Sequence, residues 1–251
     1  MEAFVQSQVD VHGIATLTFF HPASNSLPAS LLAELAHHID EAGKDDVVKV
    51  IVLKSEGDRA FCAGASFDEL MAIETPEEGL SFFKGFALVI NAIRTCPKFV
   101  VGRVQGKAVG GGVGLAAAVD HCLATKHASV KLSELAVGIG PLVVGPAVER
   151  KIGASGMGTL AIDATGWKTA TWAAEQGLYA EVFDDAEALD AAVEALARQL
   201  AQSNPEAMAH LKRVLWEGTE HWDQLLSERA AISGKLVLSD FTRKAIAAFK
   251  R

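Results

Sequence analysis

Phe99-Val100-Val101-Gly102-Arg103-Val104-Gln105-Gly106-Lys107-Ala108-Val109-Gly110-Gly111-Gly112-Val113-Gly114-Leu115-Ala116-Ala117 decides the fold class of this chain. It opens on a β-branched apolar run, passes a loop with three consecutive glycines, and closes on an alanine-rich helical stretch from Val113 to Val119. A strand that leads into a helix in this way belongs to a layered α/β protein. Outward from it the same order recurs. Val47 to Leu53 is a nearly continuous apolar run, as in a strand covered on both faces. A loop from Glu56 to Ser66 follows, then helical patterns from Phe67 and from Leu80 to Arg94. Downstream, Cys122-Leu123-Ala124 and Val130-Lys131-Leu132 supply further strands. At the amino terminus, Phe4 to Val9 and Ile14 to Phe19 pattern as a hairpin. Ser30 is placed to cap a helix carrying Leu31, Leu32, Leu35 and Ile39 and ending near Gly43. Repeated β and α units predict a mainly parallel sheet with helical crossovers.

From about Asp184 the pattern changes to helix alone: Ala186 to Gln202, Glu206 to Gly218 opened by Pro205, Trp222 to Leu238, and a last segment from Phe241. Leu189, Val193, Leu196 and Leu200 form one apolar stripe. Trp216, Trp222, Leu225, Leu226, Leu236 and Phe249 exceed what these helices can enclose alone, so a second copy is expected to cover part of them.

The 251 residues are 50% hydrophobic and 22% charged, which excludes a disordered chain. Net charge is −8, and no basic block is longer than Arg150-Lys151 or Lys250-Arg251, so a nucleic-acid binder is not expected. Cys62, Cys96 and Cys122 are odd in number and form no C-x-x-C, which reads as reduced thiols. The run from Phe99 to Ala124 holds Arg103, Lys107, Asp120 and His121, too many polar charges for a membrane span. The first residues lack the pattern of a cleaved secretion signal. A soluble cytoplasmic protein is expected.

Two glycine-bearing loops hold most of the functional information, Ala60 to Ser66 and Gly106 to Gly114. Each follows a strand and leads toward a helix, where backbone N–H groups are free to meet negative charge. Gly112-Val113-Gly114-Leu115-Ala116-Ala117 also fits a dinucleotide fingerprint, with Glu134 twenty residues beyond Gly114. Its mid-chain place and the glycine-rich loop after Glu134 argue against that reading. Gly102 to Lys107 has the wrong spacing for a phosphate loop, and Ala108 stands where a hydroxyl residue is needed. Glu134 is followed by apolar Leu135, Ala136 and Val137. A carboxylate desolvated there has its pKa moved toward the range used in acid–base catalysis. No histidine pair has metal-ligand spacing, and no G-x-S-x-G elbow occurs, so neither a metal nor a serine nucleophile is expected.

Taken together, these residues resemble the crotonase superfamily, the enoyl-CoA hydratases and isomerases, over the whole chain. Ala60-Phe61-Cys62-Ala63-Gly64-Ala65 is similar to that family's first oxyanion-hole loop, and Gly110-Gly111-Gly112 to its second. Trp167 to Glu181, with Ala170, Ala173, Gly177 and Leu178, is similar to its A-x-x-A-x-x-x-G-L segment. The resemblance implies an α/β fold, a spiral of repeated ββα units over residues 1–185, followed by a helical trimerisation region over 186–251. It implies that the N–H groups of Ala65 and Gly111 hold the thioester oxygen of an acyl-CoA and that Glu134 is the catalytic acid–base. Ala63, Gly64, Ser66, Phe67, Asp68 and Gly110 are implied to bind substrate, and Phe249 and Lys250 the nucleotide end of CoA. Coenzyme A is then part of the substrate and no separate cofactor is expected, while a homotrimer or homohexamer is.

The departures bear on the reaction. Hydratases of this family carry two glutamates, and here Gly114 stands at the first position and Glu134 at the second. Ser66 stands where many members have aspartate. One glutamate suffices to move a proton between two carbons, which is double-bond isomerisation. Hydration must also orient water, so isomerisation is expected over it. A hydratase with a substitute for the missing acid, such as Glu69, and a catalytically silent acyl-CoA binder are the alternatives.

Overall fold

The computed structural model of the chain describes residues 1–249. The first part runs β1 (Phe4–Val9), β2 (Ile14–Phe20), β3 (Ser26–Leu27), α1 (Ala29–Lys44), β4 (Val50–Ser55), β5 (Ala60–Cys62), β6 (Gly64–Ala65), α2 (Phe67–Ala72) and α3 (Pro76–Thr95). It continues with β7 (Phe99–Val104), β8 (Lys107–Val109), α4 (Gly111–Ala118), β9 (His121–Thr125) and β10 (Val130–Lys131). Last come α5 (Gly145–Ile162), α6 (Ala170–Glu175), β11 (Glu181–Phe183), α7 (Ala186–Ala201), α8 (Pro205–Leu215), α9 (Trp222–Leu236) and α10 (Asp240–Phe249).

The main sheet has the order β1-β2-β4-β7-β9-β11, antiparallel only between β1 and β2. A smaller parallel sheet has the order β10-β8-β5, and β3 pairs with β6. Each turn of the chain gives one long strand to the first sheet and one short strand to the second before a helix closes it: β4 with β5, β7 with β8, β9 with β10. These are the repeated ββα units of a spiral.

The apolar run in β4 has its reason in this layering. Ile51 and Leu53 point into the main core with Leu17, Leu35, Ile90 and Val100, while Val50 and Val52 meet Leu189 and Val193 of α7 on the opposite face. Both faces of the strand are covered from Val50 to Leu53, and these four positions are all apolar. The strand begins at Val50, later than its apolar pattern, because Val47 is held in a turn by the Asp45 carboxylate and stays exposed. Helix α1 also differs from its reading. It starts at Ala29, with Pro28 at the cap position and Ser30 already in the first turn. The Glu69 carboxylate accepts the Ala29 N–H at 2.9 Å, so the cap comes from forty residues away. Helix α3 starts at Pro76, ahead of Leu80, because Thr75 and Glu78 form a reciprocal capping box. Helix α4 likewise begins at Gly111, two residues before Val113.

The expectation that Trp216 and Trp222 need a second copy is corrected by the structure. Both are buried by the chain itself, ring centroids 5.8 Å apart in an edge-to-face pair, and Leu226 is buried beside them. Trp216 Nε1 donates to Asp120 Oδ1 at 2.8 Å, and Asp120 Oδ2 is 2.9 Å from Lys212 Nζ and accepts the Val100 N–H. One buried carboxylate thus ties the tail to the sheet. Among the described residues of the tail, Leu211, Val214 and Leu215 of α8, Ile232 and Leu236 of α9 and Phe241 of α10 stay exposed.

Helices α3 and α9 cross with their backbones in contact: a Cβ on Gly79 would lie 2.6 Å from the Gly234 carbonyl oxygen. Gly79→Ala or Gly234→Ala forces the two helices apart and is expected to destabilise by about 1–3 kcal/mol, the range for overpacking. Thermal unfolding then shifts down by roughly 2–4 °C per kcal/mol. An unchanged Tm in both variants would show that the crossing yields without cost. No described helix is long and apolar enough to cross a membrane.

Candidate active site

The two glycine loops meet because their glycines permit it. Gly64 has φ +95°, and a Cβ there would lie 3.2 Å from the Val109 carbonyl oxygen and 3.6 Å from Gly111 N. The three consecutive glycines answer to three different neighbours. Gly110 has φ +52°, and a Cβ on it would lie 2.8 Å from Glu134 Oε1. On Gly111 it would strike the Phe86 ring, and on Gly112 the Cys62 backbone carbonyl.

Gly111 opens α4, so its N–H has no acceptor within the helix. Ala65 sits opposite Leu27, whose carbonyl accepts from Ser66 N at 3.0 Å. In a parallel ladder Leu27 bonds the residues on either side of Ala65, which turns the Ala65 N–H away from β3. Ala65 and Gly111 both line a cavity of about 380 Å³. Ala63, Gly64, Phe67, Gly110 and Glu134 line it too. Ser66 and Asp68 do not: the Ser66 hydroxyl caps α2 by accepting the Glu69 N–H at 3.3 Å, and Asp68 is exposed. Glu69 spends its carboxylate on the start of α1 and is outside the lining. The side chain of Phe249 and all of Lys250 lie outside the described residues.

Glu134 follows β10 and precedes a single 3-10 turn, Leu135–Val137. The turn places its carboxylate directly over the Cα of Gly110. Oε2 is sealed from solvent and has no hydrogen-bond partner. Burial pushes the carboxyl up to about 7, offset only in part by its own backbone N–H. Among the described residues it is the one acid in the lining, and Lys131 is the one cation. The Cys62 thiol beneath the loops is buried and pushed up to about 12, so it stays protonated and is no nucleophile. No cluster of three or more metal-capable side chains occurs among the described residues.

Gly114 is where a second acid would stand, and that place is filled. A Cβ on Gly114 would lie 2.5 Å from Val144 Cγ1 and 2.7 Å from Val144 Cβ. Val144 itself lines the cavity, together with Phe82, Phe86, Ile139 and Leu142. Sequence reading missed Phe86, Val144 and Ser233. Each sits on or beside a helix with no motif around it, and only the fold turns it toward the cavity.

A spiral of ββα units places two backbone N–H groups and one desolvated carboxylate around an apolar cavity, an arrangement suited to acid–base chemistry in which negative charge develops on an oxygen. The model of the family "Enoyl-CoA hydratase/isomerase" matches residues 10–249. A Bacillus subtilis (strain 168) protein named "Probable enoyl-CoA hydratase" is 28% identical over 94% of this chain and 92% of its own length. The 1,2-epoxyphenylacetyl-CoA isomerase of Escherichia coli (strain K12) is 27% identical over 86% of this chain and 82% of its own. The crystal structure of an enoyl-CoA hydratase from Bacillus halodurans superposes with a TM-score of 0.89 at 21% identity, covering 97% of this chain and 99% of that one, which shows the shared fold. The chain belongs to the enoyl-CoA hydratase/isomerase family and is an enzyme of that family acting on an acyl-CoA.

Proposed function

We propose that the enzyme shifts the double bond of an enoyl-CoA, with Glu134 as the single acid–base and the Ala65 and Gly111 N–H groups on the thioester oxygen. The observation that carries this reading is the lone carboxylate: among the described residues Glu134 is the only acid lining the cavity, and Val144 fills the space beside Gly114. The ionised Glu134 takes a proton from C2 of a 3-enoyl thioester, the electron pair of that C–H bond forms a C1–C2 double bond, and the carbonyl π pair moves onto the thioester oxygen. Two fixed donors stabilise the negative oxygen where it forms. As the carbonyl re-forms, the C2–C3 double bond is made and the C3–C4 pair takes the proton back from Glu134 at C4. Coenzyme A enters as part of the substrate, and the residues named need no further cofactor.

Incubation of the purified protein with a 3-enoyl-CoA and with a 2-enoyl-CoA tests this directly. The expected product is the positional isomer, with little 3-hydroxyacyl-CoA. Hydration as the main reaction would overturn isomerisation; the B. subtilis relative's name keeps that outcome in view. Binding without turnover of either would make the protein a silent acyl-CoA binder. Assembly as a homotrimer or homohexamer is part of the same reading, supported by the exposed Leu211, Val214 and Leu215 on α8. A cytoplasmic place of action fits the three free, buried cysteines.

A further inference from the structure

One residue of the cavity lining carries a buried, unpartnered hydroxyl. Ser233 of α9 is 1% exposed, lines the cavity, and its Oγ is shielded from solvent without a hydrogen-bond partner. Buried hydroxyls almost always find one, because an unmade hydrogen bond in an apolar surround is costly. Its neighbour Gly234 lies against Gly79 of α3, while the Phe86 ring lies against Gly111. Residues 79 and 86 are two turns apart on α3, so Ser233 lies toward the N-terminal end of α3 from the Gly111 donor.

The walls at that end are apolar, with Phe82, Phe83 and Ile139 beside Val237. Among the described residues no cation is there: Lys131 lies on β10, just ahead of Glu134, and Arg229, one turn earlier on α9, donates to the Leu142 carbonyl at 3.4 Å and is outside the lining. A carboxylate at this depth would be left unpaired. We infer that Ser233 is a specificity-determining residue, whose Oγ hydrogen-bonds a neutral oxygen, a hydroxyl or ketone, borne on the acyl group distal to the thioester. The substrate class is then an oxygenated acyl-CoA, an inference that rests on the acyl-CoA reading of the site.

Two acyl-CoAs of equal length, one with a hydrocarbon tail and one with a distal ketone, separate the possibilities. The wild type is expected to favour the ketone about tenfold in kcat/KM, the scale of one neutral hydrogen bond, with the difference carried by KM. In Ser233→Ala that ratio is expected to fall by about tenfold. The variant removes an unpartnered group from a helix, so its Tm should hold or rise. The saturated analogues, titrated calorimetrically, read the same ratio without turnover, so loss of catalysis and loss of selectivity are told apart. An equal ratio in wild type and variant overturns the role of Ser233. Failure of either acyl-CoA to bind the wild type overturns the acyl-CoA reading and this inference with it.

Discussion

Glu134→Gln is expected to lower turnover by roughly 10²- to 10⁴-fold while leaving acyl-CoA affinity nearly intact, the signature of a lost general base. The amide keeps the shape of the side chain over Gly110 but cannot accept the proton. The carboxyl must be ionised to act, and burial holds it up to about 7, so kcat/KM in the wild type should rise with pH through about 7 and then level. The same shift bears on stability. The folded protein keeps the proton up to about 7, while the unfolded chain releases it near the ordinary glutamate value of 4.5. Between those values the unfolded state binds fewer protons, so stability falls as pH rises, by roughly 3 kcal/mol in all at 1.36 kcal/mol per unit. Glu134→Gln removes that penalty. Its stability should therefore exceed the wild type's at pH 8 and match it at pH 4, measured by urea unfolding. Unchanged turnover, or a flat kcat/KM profile across pH 6 to 8, would take Glu134 out of the mechanism.

Gly114→Glu is expected to fail alone and to work only with Val144→Gly, because the Val144 Cβ itself would lie 2.7 Å from the new Cβ. The first Cβ would meet Val144 at 2.5 Å, so the single variant overpacks the start of α4 and should lose about 1–3 kcal/mol or more. Trimming Val144 opens the side of the helix on which the new carboxylate must lie. In the double variant two acids face one cavity, and their repulsion pushes one of the two pKa values up. A protonated acid beside an ionised one is what delivers a proton while a water is activated. Hydration of a 2-enoyl-CoA, read as 3-hydroxyacyl-CoA formed, should appear or rise in the double variant. If the double variant folds and hydrates no faster than wild type, the missing acid is not what restricts the reaction.

The sequence alone was enough for the layering and for much of the site, because both are written in local pattern. Strand runs such as Val50 to Leu53 are apolar at every position since each face is covered, and the alanine-rich run after Gly114 has no polar side to offer solvent. Glu134 was legible from its apolar neighbours and from the family resemblance, and the loop glycines from their number. Element starts were less so: the Thr75–Glu78 capping box was there to be read, whereas the cap of α1 was not, since it comes from Glu69. The tail tryptophans were legible as large apolar area but not as satisfied. Their partners, Asp120 and Arg150, lie 96 and 66 positions from Trp216.

Only the tertiary structure decided what each glycine touches, that Val144 closes the second acid's place, that Ser66 and Glu69 are spent on helix ends, and that Ser233 faces the cavity. The physical reason is common to all four. Periodicity and turn chemistry set which side of an element is buried and where φ is positive, and these depend on a few adjacent residues. Which side chain fills a given few cubic ångströms depends on where separate elements come to rest against one another, and no stretch of chain carries that by itself.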